Sequence, residues 1–271
     1  MSTIAVIPAR FGAVRLPGKP LLRETGKYLV EHVYERAVRS TLLERVIVAT
    51  DDQRIADAVR SFGGEVVMTR ADHPSGTDRV AEVAARTDAK LVLNIQGDEP
   101  ELATASIDQL VAAMQADPES VMGTLACPFD TLAEHAGAPV DPDQPSAVKV
   151  VTDLAGRALY FSRSLIPFPR DGTGAARGPC LHLGVYAYRR DFLLKLAKLP
   201  PTPLEQTEKL EQLRVLEHGY NIKVVMVEEA SVGIDTPADY AAFVARYRRS
   251  EASRGTGNEA RAVAAGAGHE R

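Results

Sequence analysis

Arg10, Arg15 and Lys19 stand within eleven residues, Arg-Phe-Gly-Ala-Val-Arg-Leu-Pro-Gly-Lys-Pro, from Arg10 to Pro20. Pro17 and Pro20 restrict φ and lack an N–H donor, and Gly12 and Gly18 let the backbone bend, so the stretch reads as a loop and not a helix. It follows the apolar run Ile4 to Ile7, which has the length of a buried strand. Cations on a loop at the carboxyl end of a strand, beside exposed backbone N–H groups, make an anion site suited to a polyphosphate. A solvated basic loop is the alternative reading.

A carboxylate belongs beside such a site. Gln96-Gly-Asp-Glu-Pro100 follows another apolar strand, so Asp98 falls at the same sheet edge. Mg²⁺ takes one or two carboxylates and fills its shell with phosphate oxygens and water, which suits Asp98, although a turn former or helix cap is the simpler role. Asp235, in Gly233-Ile-Asp-Thr-Pro237, also follows a strand, and it stands equally as a metal ligand or as a cap before a helix. Arg70, His73, Ser75, Gly76, Thr77, Asp78 and Arg79 form a polar loop leading into a helix. That loop either caps the helix or hydrogen-bonds a base or sugar.

Two further stretches divide by face. In Leu181 to Tyr188, period two puts Leu181, Leu183, Val185 and Ala187 on an apolar face. His182, Gly184, Tyr186 and Tyr188 share the other, with Gly184 leaving room for a small polar ligand or the rings simply packing. In Leu204 to His218, read as one helix, Leu210, Leu213 and Leu216 fall on one side. Glu205, Glu208, Glu211 and Gln212 fall on the other, as a solvated face would also do.

The elements that must position these residues alternate in the first half. Strands are expected at Ile4 to Ile7, Arg45 to Thr50, Glu65 to Met68 and Lys90 to Ile95, with helices between them and after the last. That pattern predicts a doubly wound, mostly parallel α/β sheet. The second half is more mixed, with strands at Met122 to Pro128, Ala147 to Val151, Ala158 to Phe161, Leu181 to Tyr188 and Ile222 to Val227. A closing helix is expected at Pro237 to Arg248. The division expected is one α/β domain over residues 1–250, with its ligand work split between 1–128 and 129–250, and a disordered tail at 251–271, which is almost devoid of large apolar residues.

A net charge of −4 leaves no general basic surface for nucleic acid. Cys127 and Cys180 stand far apart, against a zinc site or disulfide framework and in keeping with a reducing cytosol. No leader and no membrane-inserted span are expected. Walker A, Gly-x-Gly-x-x-Gly and Gly-x-Ser-x-Gly patterns are absent.

Taken together the segments resemble the 3-deoxy-manno-octulosonate cytidylyltransferase family, from about Ile4 to Tyr247. The likeness rests on Pro8-Ala-Arg…Arg15-Leu-Pro-Gly-Lys-Pro20, Ala49-Thr-Asp51, Asp72-His…Ser75-Gly-Thr77…Arg79 and Asn94-Ile-Gln-Gly-Asp-Glu-Pro100. It continues through Ala147-Val-Lys-Val-Val151, Ala158-Leu-Tyr-Phe-Ser-Arg163, His182-Leu-Gly184, Pro203-Leu-Glu205, Leu210-Glu-Gln-Leu-Arg214 and Asp235-Thr-Pro237.

The resemblance implies a nucleotide-diphospho-sugar transferase-like fold and a cytoplasmic homodimer joined through the second half. It implies transfer of CMP from CTP to the 2-hydroxyl of 3-deoxy-D-manno-octulosonate (Kdo), with release of pyrophosphate, for lipopolysaccharide-type glycan synthesis. By the same resemblance Arg10, Lys19 and Arg15 hold the triphosphate, and Ala9, Gln96 and Arg70 to Thr77 (with Ser75 and Gly76) frame the nucleoside. Asp98 and Asp235 bind Mg²⁺. Arg163, His182, Tyr186, Glu211 and Gln212 contact the sugar acid. Ser146 and the Gly-rich link Asp171 to Pro179 depart from the family pattern on the sugar-acid side. Another 2-keto-3-deoxy acid as acceptor therefore stays open, as do a glycosyltransferase and a non-catalytic CTP-binding module.

Overall fold

The computed structural model describes residues 1–12, 16–131, 140–170, 178–231 and 233–266, the last of these as backbone alone from residue 254. Arg15, residues 171–177 of the Gly-rich link and residues 267–271 lie outside the described residues.

The strands are β1 (Thr3–Ala9), β2 (Arg45–Thr50), β3 (Glu65–Met68), β4 (Leu91–Asn94), β5 (Met122–Pro128), β6 (Lys149–Thr152), β7 (Ala158–Ser162), β8 (Cys180–Arg189) and β9 (Ile222–Met226). They form one sheet in the order β3-β2-β1-β4-β8-β5-β9, with β6 pairing β7 and β8 beside that path. β1 pairs parallel with β2 and β4, β2 with β3, and β5 with β9. β8 runs antiparallel between β4 and β5, so its amino end meets the carboxyl ends of the others. This is the expected doubly wound, mostly parallel sheet with a mixed second half.

Helices α1 (Leu29–Val38), α2 (Gln53–Ser61) and α4 (Thr104–Ala116) cover one face of the sheet, and α3 (Gly76–Ala85) and α5 (Arg190–Leu196) the other. β1 shows why its run is continuously apolar: Ala5 and Ile7 pack under α1, α2 and α4, while Ile4 and Val6 pack toward α3 and α5. A parallel strand covered on both faces has no side free for polar residues.

Three sequence expectations are corrected. The stretch 204–218 is not one helix but α6 (Pro203–Glu208) and α7 (Gln212–Glu217), broken at Lys209, whose φ is +54°. No Gly or Pro marks that break. Arg163 marks it instead, with Nε donating to the Glu208 carbonyl at 2.7 Å and thereby terminating α6. The loop after β1 ends in a single 3-10 turn, Lys19–Leu21, entered through Gly18 at φ +68°. The closing helix α8 runs Pro237–Gly266, past the Arg248 expected as its end. Ala, Glu and Arg there favour a helix even without an apolar face to bury.

Candidate active site

The carboxyl edge of the sheet gathers residues from both ends of the chain. At the end of β1, Arg10 reaches across to the next loop and donates from a terminal guanidinium nitrogen to the His73 carbonyl, 3.0 Å. The turn beyond is closed by Gly18 N–H donating to the Phe11 carbonyl at 3.0 Å. A Cβ at Gly18 would also press on the Phe11 ring, 3.2 Å away, so glycine is required twice over. That turn carries Lys19 inward, with its side chain 13% exposed.

Lys19 is the hub of the edge. Its Nζ lies 2.7 Å from Asp98 Oδ2 and 3.6 Å from Asp235 Oδ1, and it donates to the Ile234 carbonyl at 2.7 Å. Asp98 comes from the loop after β4 and Asp235 from the turn into α8. The Ile234 N–H donates to the Asp98 carbonyl at 2.9 Å, tying the two segments backbone to backbone. Gly97 lets the β4 loop close on β1, since a Cβ there would lie 3.1 Å from the Pro8 carbonyl oxygen. Two carboxylates aimed at one point already occupied by a cation fit a divalent metal. No cluster of three or more His, Cys, Asp or Glu side chains suited to a metal occurs among the described residues. Mg²⁺, unlike Zn²⁺, needs only one or two protein carboxylates when phosphate and water complete its shell.

From this hub a cleft of about 910 Å³ opens along β8 toward α7, lined by Asp98, Glu99, His182, Tyr186, Gln212 and Asp235 among others. The period-two division of β8 holds. Leu181, Leu183, Val185 and Ala187 enter the core and His182, Gly184 and Tyr186 face the cleft, but Tyr188, expected beside them, is buried in the core on the α3 and α5 side instead. Gly184 does more than leave room for a ligand. A Cβ there would meet Glu99 Oε1 at 3.6 Å and Gln96 Cγ at 3.7 Å, so the strand passes closely over both.

His182 Nε2 lies 3.0 Å from Thr124 Oγ1, and its ring meets Phe161 edge to face at 4.9 Å. Burial lowers its pKa to about 3, so it is a neutral hydrogen-bonding ring at working pH and not a cation. Burial, with help from Glu211 and Glu99, pushes the Tyr186 phenol up, and it remains a donor. Tyr186 Oη donates to Gln212 Oε1 at 3.3 Å. Gln212 is 4% exposed, and its buried Nε2 has no hydrogen-bond partner among the described residues.

The other expected site residues take varied places. Thr77 Oγ1 donates to Glu211 Oε2, so the start of α3 and the turn before α7 touch directly. Burial raises the Glu211 pKa, opposed by Thr77 and by Arg214, 3.9 Å away. Ser75 caps α3, its Oγ accepting from Asp78 N–H at 3.1 Å. Gly76 sits against Pro8, and Gln96 Nε2 donates to Asn94 Oδ1 at 3.3 Å. Ala9 closes β1 at 2% exposure. The Arg70 side chain is exposed and forked onto Asp72, so only the course of its backbone frames the edge.

Arg163 is the clearest departure. Besides Glu208 it donates to the Pro145 carbonyl at 2.9 Å, which commits its guanidinium to fastening α6. The helical face shared by Glu205, Glu208, Glu211 and Gln212 also dissolves at the Lys209 break. Glu205 pairs with Arg214, and Glu208 accepts from Ser162 Oγ at 2.7 Å, leaving Glu211 and Gln212 to the cleft.

Glu99 escaped the sequence reading. It is 7% exposed, accepts from Ser231 Oγ at 2.8 Å, and is pushed up to about 7 by burial and then by neighbouring Asp98. Only its place between Asp98 and Pro100 hinted at a role. A carboxyl raised above its unfolded value stabilises the fold fully below the unfolded pKa, and that contribution is lost as pH rises through the folded one. Glu99's own contribution to the unfolding free energy should therefore fall by on the order of 3 kcal/mol between roughly pH 4.5 and pH 7, against the opposite trend of the buried neutral His32 and His182. The stability difference between the parent and Glu99→Gln should carry that slope in metal-free denaturant titrations run across the same range. A variant whose pH dependence matches the parent's would show that Glu99 does not contribute it.

A mostly parallel sheet with cations and paired carboxylates at its carboxyl edge suits a nucleotide-dependent transferase, and the cytidylyltransferase family model, a class of nucleotidyltransferase, matches residues 4–224. The chain is 51% identical to the 3-deoxy-manno-octulosonate cytidylyltransferase of Syntrophotalea carbinolica, over 92% of this chain and 99% of the relative. It is also 51% identical to that of Geobacter sulfurreducens, over 88% of this chain and 96% of the relative. A solved structure of CMP:2-keto-3-deoxy-manno-octonic acid synthetase complexed with CTP matches with a TM-score of 0.85 and 43% identity. It covers 92% of this chain and 100% of that one. The chain belongs to the 3-deoxy-manno-octulosonate cytidylyltransferase family.

Proposed function

We propose that this enzyme transfers CMP from CTP to the 2-hydroxyl of 3-deoxy-D-manno-octulosonate and releases pyrophosphate. The observation that carries the reading is the convergence of Asp98, Asp235 and Lys19 at the mouth of the cleft. Relatives of about half-identical sequence bear that activity in their names, and a structural relative was solved with CTP.

Two anions must meet in this reaction. Mg²⁺ held by Asp98 and Asp235 would screen their repulsion and acidify the attacking hydroxyl. Lys19 and Arg10 stand where charge builds on the leaving pyrophosphate, and fixed cations stabilise that charge without reorganising. The acceptor lies along β8. Gln212 Nε2, buried and unpartnered among the described residues, offers a donor to a hydroxyl or carboxylate, and neutral His182 and the Tyr186 hydroxyl shape the same wall. The Thr77–Glu211 contact brings the nucleoside loop against the acceptor wall, as an in-line transfer between neighbouring sites requires.

The nucleotide side is built mainly from residues 1–128 and the acceptor side from 129–250. The working form is a cytoplasmic homodimer joined through the β6–β7 hairpin and the segment after it, where Leu154, Leu159 and Phe168 stand exposed. No described helix is long and apolar enough to cross a membrane.

The test is pyrophosphate release with CTP, Mg²⁺ and Kdo, against ATP, UTP and GTP and a panel of 2-keto-3-deoxy acids. Release with CTP and Kdo alone is the expected result. Release with a different acid would keep the chemistry and change the acceptor. Silence with every acid despite CTP binding would overturn catalysis.

A further inference from the structure

Asp98 and Asp235 belong to different elements, and their side chains do not hold each other. Asp98 is on the β4–α4 loop, and Asp235 is on the turn into α8. Apolar packing docks α8: Tyr240, Phe243 and Val244 bury against Leu29 and Ile234, with Leu16 and Leu22 at the margin. Such packing is non-directional and resists a small slide along the helix axis only weakly, and the directional bonds of Tyr240 and Arg248 to the Glu24 backbone do not reach the β4–α4 loop.

Beyond the Ile234–Asp98 backbone bond beside the carboxylates, one side-chain pair joins the two elements farther along α8. Glu101, three residues after Asp98, accepts from Arg246 on α8. Arg246 Nε lies 3.0 Å from Oε1 and 3.1 Å from Oε2, and a terminal nitrogen lies 2.5 Å from Oε2. A forked guanidinium–carboxylate pair fixes orientation as well as distance. From Asp235 the helix runs about 15 Å to Arg246. The pair therefore holds the far end of a lever whose near end carries a metal carboxylate. The pair's side chains are 27% and 30% exposed, so solvent screening limits what it adds to global stability.

We propose that the Glu101–Arg246 pair is a positioning clamp: it holds α8 against the β4–α4 loop and so sets the spacing of Asp98 and Asp235. The inference rests on the reading of those carboxylates as the metal pair. Neither Glu101 nor Arg246 lines the cleft, and neither needs to touch substrate.

Mn²⁺ alone, as a paramagnetic probe, tests it on the full chain. Arg246→Met and Glu101→Gln should each weaken Mn²⁺ binding about tenfold, the scale seen when a group orienting a metal ligand is removed. The Mg²⁺ concentration for half-maximal pyrophosphate release should rise in step, while KM for the sugar acid and the melting temperature stay close to the parent values. The double variant should be no worse than the weaker single one, because either change opens the whole clamp. Unchanged Mn²⁺ binding in both folded single variants overturns the clamp, and so do losses that add in the double variant. Asp98→Asn serves as the reference. Mn²⁺ binding that survives in it overturns the metal reading and the clamp with it. Binding lost in Asp98→Asn but kept in the two clamp variants overturns the clamp alone.

Discussion

Asp98→Asn and Asp235→Asn are each expected to lose Mg²⁺-dependent turnover by on the order of 10³-fold, a loss of about 4 kcal/mol of transition-state stabilisation. Asn keeps the size of the side chain and one carbonyl oxygen, so the change is one of charge. Asparagine can still accept a bond from Lys19, whose ammonium also keeps the Ile234 carbonyl, and the backbone bond from Ile234 N–H to the Asp98 carbonyl is untouched. Both variants should therefore melt near the parent temperature with unchanged circular dichroism. Pyrophosphate release across a Mg²⁺ series is the measurement. Full activity in both variants would remove the two-carboxylate metal site.

Lys19→Met comes second in size and has two parts. At saturating CTP, turnover should fall by roughly 10²- to 10³-fold, the usual consequence of deleting one fixed charge-stabilising group. Without ligands the variant should also be less stable than the parent, because Asp98 and Asp235 then face one another with no cation between them. Added Mg²⁺ alone should raise the melting temperature of Lys19→Met more than that of the parent, since in the parent the ion must first displace the ammonium. Equal Mg²⁺ responses in the two proteins would show that Lys19 does not compete for the position between the carboxylates.

That Lys19 ends between both acids was not legible in the sequence. Arg10, Lys19 and Asp98 could be placed at one sheet edge because each follows a strand, and strand ends in a parallel sheet share an edge. The strands themselves stood out for a related reason. Arg45–Thr50, Glu65–Met68 and Met122–Pro128 have the bounds expected of them. The strands of a parallel sheet are written as mostly apolar runs between polar turns, and such runs have clear ends even in β3 at the edge.

What failed to show were tertiary substitutions for local signals. The break at Lys209 carries no Gly or Pro, because Arg163 from another strand end terminates α6 in their stead. The leucines at 210, 213 and 216 continue the helical period straight through it, so periodicity alone could only predict one helix. Glu99 was overshadowed by its neighbour. Two adjacent acids in a turn read as one feature, and only the fold sends one to Lys19 and the other beneath Gly184.

Every strand of the sheet is finished by Met226, yet Asp235 and Arg246 come later in the chain. The scaffold can therefore be whole while the site is still missing an acid. Helix α8 reaches back to the first turns of the chain, with Arg248 donating to the Glu24 carbonyl at 3.0 Å and Tyr240 Oη accepting from Glu24 N–H at 2.9 Å. Loop closure must come before contacts between such distant segments can reward it. A whole sheet is therefore not yet a whole site until α8 has docked. By the same logic, local opening of α8 would silence the enzyme while the sheet stayed intact, making the last helix the most economical place to switch the molecule off.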